Sequence, residues 1–136
     1  MKIQYLDSSI VIPYVSALIG TRAQRADRNN LKAKQYVRSA RAILKISVAV
    51  YAETMRHFQD NAVVDDILQM NFPPALPLAK THARRWARLQ NRSERIMGDN
   101  DAWIAAQAVE DRCELVGHDH AFEKRPDLEY VDFLTP

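Results

Sequence analysis

Apolar and polar positions follow two different rhythms along this chain, and the switches between them predict alternating strands and helices. Lys2 to Leu6 (KIQYL) is a short β-favouring run that ends at Asp7. Ser8 and Ser9 offer caps for the apolar stretch Ile10–Ile19, in which Pro13 stands near the start, where a helix tolerates it. Over residues 31–45, Ala33, Tyr36, Val37, Ala40, Ile43 and Leu44 recur at three-and-four spacing, with Lys34, Arg38, Arg41 and Lys45 at the same spacing opposite; the pattern predicts a helix with one buried and one basic face. ISVAVY at 46–51 is rich in β-branched residues and reads as a buried parallel strand, leading into a helical AETMRHF. Residues 60–70 predict a short helix, stopped by Asn71-Phe72-Pro73-Pro74. A long helix follows over 79–96, with Ala79, Ala83, Trp86, Ala87 and Leu89 on an apolar side and Arg84, Arg88, Arg92 and Arg95 on another. After Gly98, residues 101–112 (DAWIAAQAVEDR) are apolar around most of the circumference, as in a central helix. CELVG (113–117) predicts a strand, HDHAF (118–122) a loop or brief helix, and EYVDFL (129–134) an edge-like strand. This succession predicts a single domain over residues 1–136, a three-layer α/β/α fold with a mainly parallel central sheet.

Composition narrows the class. With 47% hydrophobic and 26% charged residues in 136, the chain has the make-up of a globular domain large enough for a core without staples. Its one cysteine, Cys113, excludes a disulfide framework or a cysteine-based zinc motif and fits a reducing compartment. No apolar run approaches the roughly eighteen residues of a membrane span, and the start lacks a secretory pattern, so a cytoplasmic protein with no membrane partner is expected. With only three glycines, phosphate-cradling loops of kinases, NTPases and dinucleotide enzymes find no support.

Charge is sorted into blocks. Residues 22–45 carry eight Lys and Arg against the single acid Asp27, and residues 80–95 carry six against Glu94. Residues 96–136 reverse the balance, with ten acids against three bases. Basic surface beside an acidic centre suits a metal-dependent nuclease, in which cations hold phosphate and carboxylates hold metal; solvated helix faces would give the same blocks.

The acids at element ends carry the chemistry. Asp7 ends the first strand, Glu53 begins the helix after ISVAVY, Asp99 and Asp101 open the DAWIAA helix, and Asp119 follows ELVG. Open parallel sheets bind ligands beyond the carboxyl ends of their strands, where these acids can converge. Asp99 and Asp101, about 200° apart on a helix, cannot share a face, so one is expected in the cap and the other in the first turn. Carboxylates gathered in one cleft repel unless cations lie among them, and all-oxygen ligation points to Mg²⁺ or Mn²⁺ rather than zinc. The competing reading leaves Asp7 and Asp99 as helix caps and Glu53 and Asp119 in solvent.

Four segments, LDSSIV (6–11), ISVAVYAET (46–54), GDNDAWIAAQA (98–108) and LVGHDHAF (115–122), fall in an order and spacing that resembles the PIN domain, and within it the VapC-type toxins of type II toxin–antitoxin pairs. The resemblance implies that Asp7, Glu53, Asp101 and Asp119 are the catalytic carboxylates and metal ligands, with Asp99 as an additional acid and the Ser8 hydroxyl beside Asp7. It further implies a Mg²⁺- or Mn²⁺-dependent endoribonuclease, dimeric and inhibited by a cognate antitoxin protein. Alternatives are a PIN nuclease of RNA processing and a non-catalytic PIN-like module that binds nucleic acid or protein. Three positions depart from the family pattern: Gly117 where Thr or Ser is common, His57 where Gly is common, and the extra Asp99.

RNA, as substrate, would be held by Arg84, Arg88 and Arg92, which lie along one helix face, and by the Lys34, Arg38 and Arg41 stripe. The apolar segment 10–19, together with the resemblance, predicts a homodimer joined through the early helices. Trp86 and Trp103 read as packing residues, Ser9 as a cap, and His57 and His82 as surface or interface groups.

Overall fold

The computed structural model describes residues 2–92 and 95–135, the Arg92 side chain excepted. Four short strands, β1 (Ile3–Leu6), β2 (Ile43–Lys45), β3 (Glu114–Gly117) and β4 (Tyr130–Asp132), form one all-parallel sheet in the order β2-β1-β3-β4. Parallel neighbours need crossovers, and helices supply them. Between β1 and β2 run α1 (Ser8–Ile19), α2 (Arg22–Ala26) and α3 (Arg28–Ser39). Between β2 and β3 run α4 (Val48–His57), α5 (Ala62–Asn71), α6 (Lys80–Arg92) and α7 (Asp99–Glu110). A single 3₁₀ turn, His120–Phe122, precedes β4. From β1 the chain goes to one side for β2 and later to the other for β3 and β4. Such a reversal opens a crevice beyond the strand ends. Pairing of Leu6 with Val116 delivers Asp7 and the turn after Gly117 to that crevice.

The core lies between the central strands and helices α1, α4 and α7. Leu6, Leu115 and Val116 pack with Ile10, Val11, Tyr14 and Val15, with Val50, and with Ala102, Ile104, Ala105 and Ala108, all buried. The apolar run of α1 is therefore taken up largely by the protein's own core, leaving Ile12, Pro13 and Leu18 half-buried and Ile19 exposed. Among the described residues no helix is long and apolar enough to cross a membrane. Trp86 and Trp103 stack between α6 and α7 with ring centroids 5.6 Å apart, as packing residues do.

The segment 31–51 folds differently from its pattern. The helix expected to reach residue 45 stops at Ser39; Ala40 is extended (φ −63°, ψ 134°), and Ile43–Lys45 pairs with Ile3–Tyr5 instead. Arg41 and Lys45 thus leave the basic stripe, and only Lys34 and Arg38 remain on α3. ISVAVY is not a strand. Ser47 accepts the Val50 N–H at 3.2 Å and caps α4, so Val48 onward is helical and Glu53 lies in its second turn rather than at its start. Burial of Val50 overrides the β-propensity of the run, and Ser47 keeps only an isolated bridge to Leu76. At α1 the cap is Asp7, not Ser8 or Ser9.

His82, expected at the surface, is buried. Its Nδ1 accepts the Ala79 N–H at 2.9 Å, which leaves the ring proton on Nε2, 2.8 Å from Asp111 Oδ1. The Tyr5 hydroxyl donates to Asp111 Oδ2 at 2.6 Å. Asp111 caps the C-terminus of α7, so this clamp joins β1 and the start of α6 to the end of the central helix.

Candidate active site

Asp7 leaves β1 with its amide donating to Val116 O at 3.0 Å, and its side chain is only 1% exposed. Oδ1 accepts the Ser9 N–H at 2.6 Å and the Ser9 hydroxyl as well. Oδ2 stands 3.5 Å from the Tyr130 hydroxyl. Gly117 presses bare backbone against this carboxylate, and a Cβ there would overlap it. Two hydroxyls do the holding where a side chain at 117 has no room. Ser9 Oγ accepts the His118 N–H at 2.6 Å, and Tyr130 Oη accepts the Asp119 N–H at 2.9 Å. Burial pushes the Asp7 carboxyl up to about 7; the Ser9 hydrogen bonds oppose the rise, and the charges of Asp119 and Asp101 add to it.

Glu53 reaches in from α4. Its Oε2 is 3.5 Å from the Ser8 hydroxyl, while its Oε1 is buried with no hydrogen-bond partner among the described residues. Burial raises its carboxyl above the ordinary range, and Asp101 and Asp119 raise it further against the pull of Ser8. Asp99 and Asp101 both lie in the first turn of α7, because Gly98 takes the cap with backbone alone; the expected division between cap and turn does not occur. Asp101 is half-buried and Asp99 exposed. Burial and the Asp119 charge raise Asp101, and Arg125 opposes them. Asp119 caps the 3₁₀ turn by accepting the Ala121 N–H at 2.9 Å. Carboxylates from four separate places in the chain thus act on one another at the switch point.

This donor set fits a hard divalent cation. An orphaned buried carboxylate oxygen on Glu53 and a carboxyl held near 7 at Asp7 would both be relieved by positive charge, and every donor is oxygen. The acids lie within electrostatic reach of one another, but among the described residues no three His, Cys, Asp or Glu side chains already form a metal cage.

The basic residues lie elsewhere. Arg84 and Arg88 are exposed on α6, and the Arg92 side chain lies outside the described residues. Arg88 borders a cleft of ≈ 290 Å³ with Arg85, Leu89 and Met97 that contains none of the four acids. Lys34 and Arg38 sit on α3, which packs against α1, and Arg41 follows it. A different cleft, of ≈ 570 Å³, holds Glu53; it is lined by Ile12, Ala52, Arg56, His57 and Asn100 as well. At the rim of the site, His118 pairs with Asp132 at 3.0 Å and His120 with Glu123 at 3.1 Å.

Sequence reasoning missed Tyr130, Arg125 and the second role of Ser9. A hydroxyl two residues after an Asp is a recognisable turn signal for Ser9. Tyr130 and Arg125 carry no local signal, since cross-strand register alone brings Leu115 beside Tyr130.

The family model described as "PIN domain" matches residues 5–128. Several solved structures share the architecture. VapBC2 from Rickettsia felis, bound to a DNA fragment from its promoter, is 18% identical over 96% of this chain and 98% of that one, with a TM-score of 0.74. DNA-bound VapBC from Salmonella typhimurium is 17% identical over 98% and 99%, with a TM-score of 0.70. VapC20 from Mycobacterium tuberculosis, a sarcin–ricin-loop cleaving toxin, is 15% identical over 86% and 90%, with a TM-score of 0.62. At these identities the likeness is one of fold. No curated protein matches the chain.

Proposed function

Because the chain belongs to the PIN domain family, we propose that it is a Mg²⁺- or Mn²⁺-dependent endoribonuclease and the toxin of a type II toxin–antitoxin pair. The observation that carries this reading is the meeting of Asp7, Glu53, Asp101 and Asp119 beyond the ends of β1 and β3, with three of them raised by burial and by one another's charge. The fold neighbours, several of them toxin–antitoxin complexes, support an antitoxin protein as partner.

In this reading Asp7, Glu53, Asp101 and Asp119 hold the ion, with Asp99 at the margin. When bound, the ion supplies water activation and neutralises charge at the phosphoryl oxygens. The chain's own residues prepare the site. Ser9 and Tyr130 fix the orientation of Asp7 and the backbone at 118–119, and Ser8 turns Glu53 inward. Arg125 balances part of the negative charge at Asp101. The exposed Arg84 and Arg88 of α6 and their sequence neighbour Arg92, with Lys34, Arg38 and Arg41, attract the RNA backbone and carry no sequence preference themselves. An antitoxin would close the site by placing a basic side chain among the acids. Two copies are proposed to associate through the exposed edge of α1.

Cleavage of a short labelled RNA is the test, run with Mn²⁺ and with EDTA across a salt series. Wild type is expected to cut only with metal and Asp101→Asn not at all. The Arg84→Ala/Arg88→Ala/Arg92→Ala variant is expected to show a weaker salt dependence, by roughly 0.7 in slope for each phosphate no longer held. Equal cleavage in EDTA would overturn the metallonuclease reading.

A further inference from the structure

Helix α4 brings more than a carboxylate to the crevice. Arg56 and His57 follow Glu53 by three and four residues, the spacing that stacks side chains on one helix face. Both are exposed and both line the ≈ 570 Å³ cleft that contains Glu53. Among the described residues no carboxylate pairs with Arg56. The His57 ring rests edge-on against Phe58, with centroids 4.8 Å apart. Ala52 on the same helix and Ile12 of α1 add apolar lining, and Asn100, between Asp99 and Asp101, adds an amide. The cleft falls within the roughly 300–1,000 Å³ of sites that enclose small organic groups.

These features meet one requirement of the chemistry. A centre of four carboxylates repels a phosphodiester, so cations must hold the strand where it enters. None of the arginines and lysines of the two basic sequence blocks lines the cleft that holds Glu53, whereas Arg56 and His57 do. Arginine offers a fork of donors to phosphate oxygens, and an imidazole N–H donates in either protonation state. The apolar lining with a nearby amide suits the face and edge of an unstacked base. We infer that Arg56 and His57, with Ile12, Ala52 and Asn100, form a nucleotide subsite that holds single-stranded RNA beside Glu53. The inference rests on the ribonuclease reading and adds the place where the strand lies. A protein ligand would meet the same cations, but the cleft opens beside Glu53, one of the four proposed catalytic carboxylates, which favours the strand to be cut as its occupant.

The test separates binding from cutting. Binding of a labelled single strand of about 12 nucleotides, a length within known single-strand site sizes, is followed by fluorescence anisotropy in an Asp101→Asn background. Adding Arg56→Ala/His57→Ala is expected to weaken binding by roughly tenfold and to lower the salt slope by roughly 0.7 for each phosphate released. Arg56→Lys should keep most of the slope. In the cutting-competent protein the same pair should raise KM with little change in kcat, and calorimetric Mn²⁺ affinity should stay constant. Both positions are exposed, so folding monitored by circular dichroism should not change. Unaltered RNA affinity and slope would overturn the subsite, and so would a loss confined to antitoxin binding. If wild type binds RNA through these residues but does not cut it with Mn²⁺, the subsite stands and the ribonuclease reading falls.

Discussion

Replacing Asp7 with Asn should stabilise the metal-free protein at neutral pH and destabilise it in acid, where the burial penalty is gone and the misplaced amide remains. An aspartate in the unfolded chain ionises near 3.9, while burial and neighbouring carboxylates hold Asp7 up at about 7. Below about pH 4 the group is protonated in both states and contributes no difference. As pH rises from 4 to 7, the unfolded chain releases a proton that the fold retains, so stability falls. Above pH 7 the full deficit stands, about 4 kcal/mol for three units at 1.36 kcal/mol each. Asn keeps an oxygen for the two Ser9 donors but presents an NH₂ group where Oδ2 now faces Tyr130, which offsets part of the gain. A net gain of about 2 kcal/mol at pH 8 is expected, or roughly 6 °C in Tm for a domain of this size. Urea unfolding of wild type and variant in EDTA at pH 4.5 and pH 8 measures it. A gap of the same size at both pH values, or a variant less stable at pH 8, would refute the argument that the fold forces this carboxylate to ionise against burial. With excess Mn²⁺ the order should invert, because ligand binding to the native state stabilises only the protein that retains the site.

Tyr130→Phe keeps the ring against Phe122 at 5.4 Å but removes the hydroxyl between Asp7 and Asp119; Mn²⁺ affinity by calorimetry should fall by roughly tenfold with Tm almost constant, and an unchanged affinity removes Tyr130 from the site. His82→Ala should lower unfolding free energy by about 2–3 kcal/mol in urea, since it leaves Asp111 and the Ala79 amide short of a partner; a loss under about 0.5 kcal/mol would dissolve the clamp. Sedimentation at tens of micromolar should give a dimer, with Ile19→Glu shifting it toward monomer; wild type sedimenting as a monomer defeats the α1 interface.

Much of the architecture was legible in the chain because local signals agreed with the final packing. The β1 and β3 runs are short and bounded, and α5, α6 and α7 each carry an apolar face at helical spacing. Residues 40–51 misled because the junction between α3, β2 and α4 faces the same core throughout. Leu44, Ile46 and Val50 continue one apolar pattern across three different backbone states, and only Ser47 marks the true helix start. Asp7, Asp101 and Asp119 were readable as residues at element ends, and Glu53 as an acid on a helix. Their setting was not, since Tyr130 meets Asp7 from 123 residues away, and the space that Gly117 leaves is visible only once β1 and β3 are paired. Arg56 and His57 already shared the expected helix AETMRHF with Glu53, but the cleft they line with Ile12 and Asn100 is visible only once α1, α4 and α7 are brought together.

The clamp at Asp111 bears on how such a site can be switched off. Asp101 rises from the first turn of α7, the helix runs buried from Ile104 to Val109, and its far end is tied by Tyr5 and His82. Buried core helices open at higher free energy than exposed loops and termini. Asp101 therefore rises from the end of a buried, tied helix rather than from a loose loop. Unfolding α7 would expose its buried face and break the clamp at its far end. Under the toxin reading, a silencing partner would cover the crevice from outside, and release of activity would depend on how fast that cover dissociates or is degraded.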